Sequence, residues 1–383
     1  MSIYRIVEAD GTALDPMHER SGDDRLAHRL KGKHRVGRDR LRPLDVETAE
    51  RARPLHLGAR YDRDGNTDHA SVELPLDDFD NAIGDHGSSP LIDPTMPAME
   101  AADEVLAPEW RTGRVDHGGE SLYYEVTGDA GARTIVLTHG AGGTHASWFQ
   151  QVPVLAAAGY RVVTWDSRGF GNSTCRTGNV GADIAAGDLA AILESAGVNE
   201  NQAVDLVGQS MGGWWVSAFT VTHPRRVRTL TLANTIGGLF TPELHAHFRS
   251  LLKAPADDVP RLGRHSALSA GLATRDPALA FLYQELDSFH EPPFAAVMRA
   301  LTGWEVTHEA MNATRVPVLV VTSPDDQLFP APLIKSGAAR LQHARVVEIA
   351  GAGHSSYFER ANDFNRELLA FLADNVVHSP STG

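Results

Sequence analysis

The sequence predicts an α/β fold in which a mostly parallel sheet of eight strands carries helices on both faces. Short apolar runs alternate along the chain with stretches suited to helices, and the runs are continuous, which is typical of strands that are buried on both sides. The runs lie at 121–126, 134–140, 161–169, 203–209, 227–235, 316–324 and 344–351, and the helix candidates at 146–158, 182–197, 212–223, 331–341 and 357–374.

These elements group into a core, an insertion and an extension. The first pair of strands, over 113–126, predicts an antiparallel edge of the sheet, and the core continues to residue 236. Residues 237–313 contain helical and loop patterns but no convincing strand, so they predict a helical cap inserted between two core strands. The core resumes over 314–383.

Residues 1–112 predict a separate charged extension, basic at first and then acidic. Residues 20–63 contain 13 Lys and Arg against 7 Asp and Glu, whereas residues 64–110 contain 12 Asp and Glu and no Lys or Arg. The pattern is compatible with a small helical element followed by an extended acidic segment, or with disorder. The basic run over 31–42 lacks interleaved aromatic residues and nucleic-acid-binding motifs, so we interpret it as a solvated face.

The composition predicts a soluble, cytoplasmic protein. The chain has 383 residues, is 42% hydrophobic and carries a formal net charge of −14, which supplies a large core and disfavours binding to nucleic acid or to anionic membranes. No apolar run approaches the ~18 residues of a membrane helix, and the first residues lack the pattern of a secretory signal. The single cysteine, Cys175, agrees with a reducing compartment. The composition specifies no oligomeric state.

The stretch "DLVGQSMGGWW", residues 205–215, predicts a nucleophilic serine. A buried strand is predicted before Ser210 and a helix after it, so the serine lies at a strand-to-helix corner. At such a corner the backbone is strained and its two sides approach closely, which Gly208 and Gly212 allow because they have no Cβ. The corner predicts a general base and a supporting acid further along the chain.

Two later strands deliver these partners to the same edge of the sheet. One strand is followed by "DDQLFP" and the next by "GAGHSS", and ligands of parallel sheets bind beyond the carboxyl ends of the strands. His354 is the predicted general base and Asp326 the acid that orients it, whereas the neighbouring Asp325 is assigned as a turn or capping residue. The strand before them offers only Asn234, which leaves the aspartate pair.

The glycine-rich stretch "HGAGG", residues 139–143, predicts part of an oxyanion hole. The backbone N–H groups of Ala141 and of Met211, the residue after the serine, are the expected donors. The stretch matches neither the P-loop pattern nor the dinucleotide fingerprint, so we expect no cofactor. His245 and His247 lack a further ligand at matching spacing, so we expect no metal site.

Taken together, the motifs resemble those of the α/β-hydrolase superfamily. The motifs are "HGAGG", "DSRGFGNS", "GQSMGG", "HPRRVRTLTLANT", "DDQLFP" and the segment 351–372, and they cover about 113–375 in order. "GQSMGG" and "LANT" are similar to 3-oxoadipate enol-lactonases and their capped relatives. The resemblance implies a serine hydrolase that cleaves an ester, thioester or lactone through an acyl-enzyme on Ser210, with a small-molecule substrate as its partner.

Two alternatives to this function stay open. Meta-cleavage product hydrolases, which break carbon–carbon bonds, have a similar layout, but they usually carry a tryptophan shortly after the histidine, where this chain has Ser356 and Tyr357. The second alternative is a non-catalytic small-molecule receptor, since a fold does not determine a function. Haloalkane dehalogenases and cap-bearing epoxide hydrolases use an aspartate at the position of Ser210, which disfavours an alkyl-enzyme route.

Aromatic residues near these motifs predict an apolar substrate pocket. Trp214 follows the serine, Phe329 follows the acid, Phe240 lies in the predicted cap and Trp148 follows the glycine-rich stretch. Only these four are assigned, because aromatic residues at helical spacing belong more often to a core than to a pocket. The expected substrate is apolar and small to medium in size.

Overall fold

The computed structural model describes residues 108–251, 263–290 and 294–376. Nearly all of the predicted extension, residues 1–112, therefore lies outside the described residues. The first strand begins at Trp110, inside the range expected for the extension. This strand lies at the edge of the sheet and is mostly exposed, so it lacks the apolar run by which the other strands are predicted.

Eight strands form one sheet. They are β1 (Trp110–His117), β2 (Glu120–Thr127), β3 (Thr134–Thr138), β4 (Arg161–Trp165), β5 (Val204–Gln209), β6 (Val227–Ala233), β7 (Val318–Thr322) and β8 (Ala344–Glu348). Their order in the sheet is β1-β2-β4-β3-β5-β6-β7-β8. β2 pairs antiparallel with β1 and with β4, and the other neighbours pair parallel, which confirms the predicted fold class.

Helices fill the intervals between the strands. They are α1 (Val152–Ala157), α2 (Ala182–Ser195), α3 (Met211–Thr222), α4 (Pro242–Leu251), α5 (Leu272–Arg275), α6 (Pro277–Asp287), α7 (Phe294–Thr302), α8 (His308–Thr314), α9 (Ala331–Ala338), α10 (Ser356–Glu359) and α11 (Ala361–Asp374). α4 to α8 lie between β6 and β7. Apart from Thr314, the last residue of α8, they lie in the range predicted as a cap, which we call the cap segment (residues 237–313). No helix among the described residues is both long and apolar enough to cross a membrane.

The hydrophobic core consists of two clusters on opposite faces of the sheet. Ile135 and Leu137 of β3 belong to one cluster, and Val136 between them belongs to the other. Successive residues of a strand point to opposite faces, so a strand covered on both sides must be apolar throughout. This explains the continuous apolar runs in the sequence.

The carboxyl ends of the central strands lie side by side. Thr138 at the end of β3 pairs with Trp165 of β4 and with Gly208 of β5. Further along the sheet, Ala233 at the end of β6 pairs with Val321 of β7. The loops after these strands therefore leave the same edge of the sheet, where the residues of the candidate site lie.

Candidate active site

Ser210 lies at the corner between β5 and α3 in a strained backbone conformation. Its φ is 48° and its ψ is −119°, a region that residues other than glycine rarely adopt. A Cβ on Gly208 would lie 2.5 Å from the carbonyl oxygen of Gly212, and a Cβ on Gly212 would lie 2.6 Å from that of His139. Both glycines are therefore sterically required, and Ser210 itself remains partly exposed.

The structure brings His354 and Asp326 together. Nδ1 of His354 lies 3.0 Å from Oδ2 and 3.1 Å from Oδ1 of Asp326, and both side chains are buried. Asp325 is exposed and forms no hydrogen bond with the imidazole. Of the two aspartates at the end of β7, Asp326 is the one that reaches the histidine.

Three further donors orient the carboxylate of Asp326. Its Oδ1 accepts hydrogen bonds from the N–H groups of Leu328, at 3.0 Å, and Phe329, at 2.8 Å. Its Oδ2 accepts a hydrogen bond from Nδ2 of Asn234, at 3.1 Å. Because hydrogen bonds to an ionised oxygen are strong and directional, these donors hold the carboxylate against His354.

Asn234 is a site residue that sequence reasoning misses. It follows β6 with a φ of 49°, and its Nδ2 also lies 3.1 Å from Oγ of Ser323. Its Oδ1 accepts a hydrogen bond from Oγ of Ser356, at 2.5 Å. The sequence does place Asn234 at the end of β6, beside the end of β7. A search for a catalytic acid passes over it, because an amide cannot serve as that acid.

The loop that carries His354 is joined to the serine corner through the backbone. We call residues 349–356 the histidine loop. Nε2 of Gln209, the residue before Ser210, donates to the carbonyl oxygen of His354 at 3.1 Å. Nε2 of His354 is buried and has no hydrogen-bond partner among the described residues, so the structure records no bond between it and Ser210. With Nδ1 committed to Asp326, Nε2 is the nitrogen that remains to accept a proton.

The glycine-rich loop, residues 139–143, passes directly beside Ser210. A Cβ on Gly140 would lie 3.0 Å from the Cβ of Ser210, and the N–H of Gly143 donates to the carbonyl oxygen of Gly140 at 3.1 Å. Within the described ranges, neither Ala141 nor Met211 donates its N–H in a turn or loop hydrogen bond of the backbone. Both N–H groups are therefore suited to a ligand.

The side chain of His139 holds the glycine-rich loop in place through two hydrogen bonds. Its Nε2 accepts the N–H of Ser167 at 3.0 Å, so its Nδ1 carries the proton and donates to the carbonyl oxygen of Gly140 at 2.7 Å. Burial lowers the pKa of His139, which keeps the imidazole neutral and preserves this tautomer. Nε1 of Trp215 donates to Oγ of Ser167 at 3.0 Å, which connects the loop to α3.

Three of the four predicted pocket residues lie in one aromatic cluster. The ring centroid of Phe329 is 5.4 Å from that of His354 and 6.2 Å from that of Trp214. Phe240 of the cap segment lies 6.1 Å from Trp214 by the same measure. The cluster therefore extends from the histidine to the cap segment, with Trp214, 0% exposed, and Phe329, 5% exposed, buried at its centre.

Trp148, the fourth predicted pocket residue, lies elsewhere. Its side chain is 0% exposed and belongs to the hydrophobic cluster on the opposite face of the sheet from Trp214. Its ring centroid is 4.4 Å from that of Tyr357 and 6.5 Å from that of Phe364. These contacts are those of a core residue.

Helix α6 places polar groups against the glycine-rich loop. A Cβ on Gly142 would lie 3.0 Å from Oδ1 of Asp287 and 3.3 Å from the hydroxyl of Tyr283. Oγ of Ser355 donates to the hydroxyl of Tyr283 at 2.9 Å, and Nε2 of His265 lies 3.2 Å from Oδ2 of Asp287. This side of the site is polar, unlike the aromatic cluster.

Known proteins with similar sequences are mostly hydrolases. A family model described as serine aminopeptidase, S33, matches residues 130–361, more than half of the chain. The dihydrolipoyllysine-residue acetyltransferase component of the acetoin cleaving system of Cupriavidus necator is 31% identical over 288 residues, which are 72% of this chain and 72% of that protein. A putative carbamate hydrolase of Variovorax paradoxus is 30% identical over 264 residues, 66% of this chain and 96% of that protein. A 2-hydroxy-6-oxononadienedioate/2-hydroxy-6-oxononatrienedioate hydrolase of Paraburkholderia phymatum is 29% identical over 288 residues, 67% and 92% of the two chains.

Solved structures share the same architecture. An enol-lactonase from Burkholderia xenovorans superposes with a TM-score of 0.56 at 22% identity, over 68% of this chain and 100% of that chain. An esterase from a Rhodococcus species superposes with a TM-score of 0.57 at 26% identity, over 70% of this chain and 99% of that chain. Both matches cover about two thirds of this chain and nearly the whole of the solved chain.

Proposed function

This chain belongs to the α/β-hydrolase superfamily and, within it, to the serine aminopeptidase S33 family, and we propose that this hydrolase works through an acyl-enzyme on Ser210. The proposed substrate is a carboxylic ester, thioester or lactone of small to medium size. One observation carries the proposal. Ser210 stands on a strained corner at the sheet edge where Asp326 holds Nδ1 of the buried His354.

The first step is attack by the hydroxyl of Ser210 on the carbonyl carbon of the substrate. A serine hydroxyl is a weak nucleophile at neutral pH unless a base takes its proton during the attack. Nε2 of His354 is the proposed acceptor, and the carboxylate of Asp326 stabilises the imidazolium that results. The proposal requires the hydrogen bond between Ser210 and Nε2 to form when substrate occupies the site.

The N–H groups of Ala141 and Met211 are the proposed donors to the oxyanion. Negative charge develops on the substrate carbonyl oxygen during attack, and fixed N–H dipoles stabilise it without reorganisation. His139 supports this role, because its bond to the carbonyl oxygen of Gly140 fixes the peptide that precedes Ala141. One donor therefore belongs to the glycine-rich loop and the other to the first residue of α3.

The second step releases the acyl group to water. The tetrahedral intermediate first collapses to the acyl-enzyme: the bond from the acyl carbon to the leaving oxygen or sulfur breaks, and the leaving group takes the proton of the His354 imidazolium. The neutral imidazole then removes a proton from an incoming water molecule. That water attacks the acyl carbon, the bond to Oγ of Ser210 breaks, and the serine regains its proton from His354. No cofactor takes part in either step.

Hydrolysis of a carbon–carbon bond by the same side chains is the second candidate. The relative from Paraburkholderia phymatum, 29% identical, is named as a hydrolase of 2-hydroxy-6-oxononadienedioate. The Rhodococcus protein, 26% identical, is named as an esterase, and this likeness favours the first candidate, ester cleavage. The carbon–carbon hydrolases usually carry a tryptophan shortly after the histidine, where this chain has Ser356 and Tyr357.

Hydrolysis of p-nitrophenyl esters tests the proposal directly. We expect turnover of p-nitrophenyl butyrate by the full chain and a loss of about 10⁴-fold in Ser210→Ala, as for other serine triads. Ser217→Ala is the matched control, since Ser217 lies on α3, the helix that follows Ser210, is fully buried and has an Oγ without a hydrogen-bond partner among the described residues. Equal release by the wild type and Ser210→Ala would refute the proposal. Turnover of a 2-hydroxy-6-oxo-dienoate alone, dependent on Ser210, would establish the second candidate instead.

A further inference from the structure

Glu359 is a buried carboxylate that the proposed reaction does not use. It is the last residue of α10, shortly after His354, and its side chain is 0% exposed. Burying a carboxylate costs free energy unless hydrogen-bond donors surround it. The donors around Glu359 come from two different parts of the site.

The first donor belongs to the histidine loop. The N–H of Gly353 donates to Oε1 of Glu359 at 2.8 Å, and Gly353 immediately precedes His354. The carbonyl oxygen of Gly353 lies 3.4 Å from Nδ2 of Asn234, the amide that also contacts Asp326. Glu359 therefore binds the N–H of Gly353 and Asn234 contacts its carbonyl oxygen, so the backbone on the N-terminal side of His354 is held at both of its polar groups.

The other donors belong to the cap segment. The N–H of Ser269 lies 3.0 Å from Oε1 and 3.1 Å from Oε2 of Glu359, and the hydroxyl of Ser269 donates to Oε2 at 2.5 Å. We call residues 263–271 the cap loop. A Cβ on Gly353 would lie 2.5 Å from the backbone nitrogen of Ser269 and 2.7 Å from the carbonyl carbon of Leu268. The cap loop and the histidine loop thus touch backbone to backbone beside this carboxylate.

The charge of Glu359 makes its donors depend on one another. Burial raises the pKa of Glu359, and the hydrogen bonds from Ser269 and Gly353 act against that effect by stabilising the ionised form. Arg275 adds a positive charge, with Nη2 3.8 Å from Oε2. In a buried network of this kind, the loss of one donor changes the strength and geometry of the remaining hydrogen bonds.

We propose that Glu359 is a positioning residue that fixes His354 and ties it to the cap loop, so that one carboxylate sets the placement of both. The proposal deepens the proposed function and rests on it for its kinetic consequence. Transition-state contacts depend steeply on the position of the base, whereas ground-state contacts with substrate come from other residues. Loosening Glu359 therefore lowers kcat and leaves KM nearly unchanged.

Three variants separate the two sides of the carboxylate. Glu359→Ala removes every acceptor and is expected to lower kcat about 100-fold. Glu359→Gln keeps one acceptor for the N–H of Gly353, and its kcat is expected to fall by about 10-fold or less. KM should stay within about threefold of the wild-type value in both variants. Ser269→Ala removes only the hydroxyl of the cap loop, and we expect a loss of about threefold in kcat. The loss from Ser269→Ala should disappear in the Glu359→Gln background, because the two residues act through one interaction.

The matched control is Glu367→Gln on α11. Glu367 is partly exposed and pairs with Arg345, away from the histidine loop, so this variant keeps the wild-type kcat. If Glu359→Ala does not fold, Glu359→Gln and Ser269→Ala decide the matter. Additive losses, a change in KM alone, or an unchanged kcat in both folded variants would overturn the proposal.

A spectroscopic readout needs no turnover. The proton between Nδ1 of His354 and Asp326 gives an NMR resonance at unusually low field when the imidazole is fixed. We expect this resonance in the wild type and Glu367→Gln, and its broadening or loss in Glu359→Gln and Ser269→Ala. If the wild type hydrolyses no ester but the resonance is still lost in Glu359→Gln and Ser269→Ala, the proposed function is refuted and the positioning role is supported. An unchanged resonance would refute the positioning role.

Discussion

Nδ2 of Asn234 lies 3.1 Å from Oδ2 of Asp326, so the residue after β6 is bonded to the carboxylate after β7. The same carboxylate is bonded to Nδ1 of His354 at 3.0 Å. The orientation of the imidazole therefore depends on two neighbouring strand ends, and an uncharged side chain contributes to the alignment of the acid and the base.

Replacing Asn234 by alanine is expected to lower kcat about 10-fold with little change in KM. Asp326 would keep its backbone donors but lose the amide that fixes Oδ2, and a loosened acid costs transition-state stabilisation. Steady-state kinetics on p-nitrophenyl butyrate measure the effect. Asn312→Ala is the control, because that partly exposed amide donates to the carbonyl oxygen of Arg340, away from the site. A kcat within twofold of wild type in Asn234→Ala would contradict the assigned role.

Phe329→Leu is expected to raise KM for p-nitrophenyl butyrate about threefold to tenfold. The ring of Phe329 lies 5.4 Å from that of His354 between centroids, on the apolar side of the site, and leucine covers less area. Trp148→Phe should leave KM unchanged and lower the melting temperature, since Trp148 is 0% exposed in the core. Equal changes in KM for the two variants would show that Phe329 does not line the pocket.

Asp188→Ala is expected to reduce the free energy of unfolding by about 3–5 kcal/mol, the usual cost of leaving a buried partner charge unpaired. Asp188 accepts two hydrogen bonds from Arg168, each at 2.7 Å, and both side chains are buried. Asp363→Ala, which breaks the exposed pair with Arg366, should cost less than about 1 kcal/mol. Urea unfolding of the three proteins measures the difference. Similar costs for both pairs would mean that burial does not strengthen the dependence on Asp188.

Glu120 is expected to stabilise the fold above pH 4.5 and to lose that effect in acid. Burial acts to raise its pKa, but hydrogen bonds from Thr174, Thr177 and Arg176 outweigh it and lower the pKa from 4.5 to about 2. A folded-state pKa below that of the unfolded chain gives a stabilisation that fades as the pH falls from 4.5 towards 2. Glu120→Gln should therefore lower the melting temperature most at pH 7 and progressively less below pH 4.5. A deficit that does not depend on pH would contradict this account.

Most of the fold could be predicted because its central strands, β3, β4, β5 and β7, are buried on both faces. Residues such as Ile135, Val136 and Leu137 face two different clusters and so form one continuous apolar run. β1 is exposed at the sheet edge and leaves no such run, which is why its start at Trp110 lies outside the predicted core. An edge strand is defined by its neighbour, and local composition does not record that neighbour.

The candidate site could be predicted only where chemistry and strand ends coincide. Ser210 and Asp326 follow the buried strands β5 and β7, and His354 follows the partly exposed edge strand β8, so the topology brings all three to one edge. The contacts of Asn234 and Glu359 join residues about 90 positions apart, and no local spacing marks such hydrogen bonds. Trp148 shows the converse limit, because an aromatic residue near a site motif has the same sequence signal in a core as in a pocket.

The most direct test of the central claim is covalent labelling by a fluorophosphonate, followed by mass spectrometry of the digested protein. The reagent reacts with a serine whose hydroxyl is activated by a neighbouring base. We predict one label per chain, on Ser210, at a rate that falls by roughly 10³-fold or more in His354→Ala. Labelling at another serine, no labelling of the folded protein, or equal rates in the wild type and His354→Ala would contradict the account.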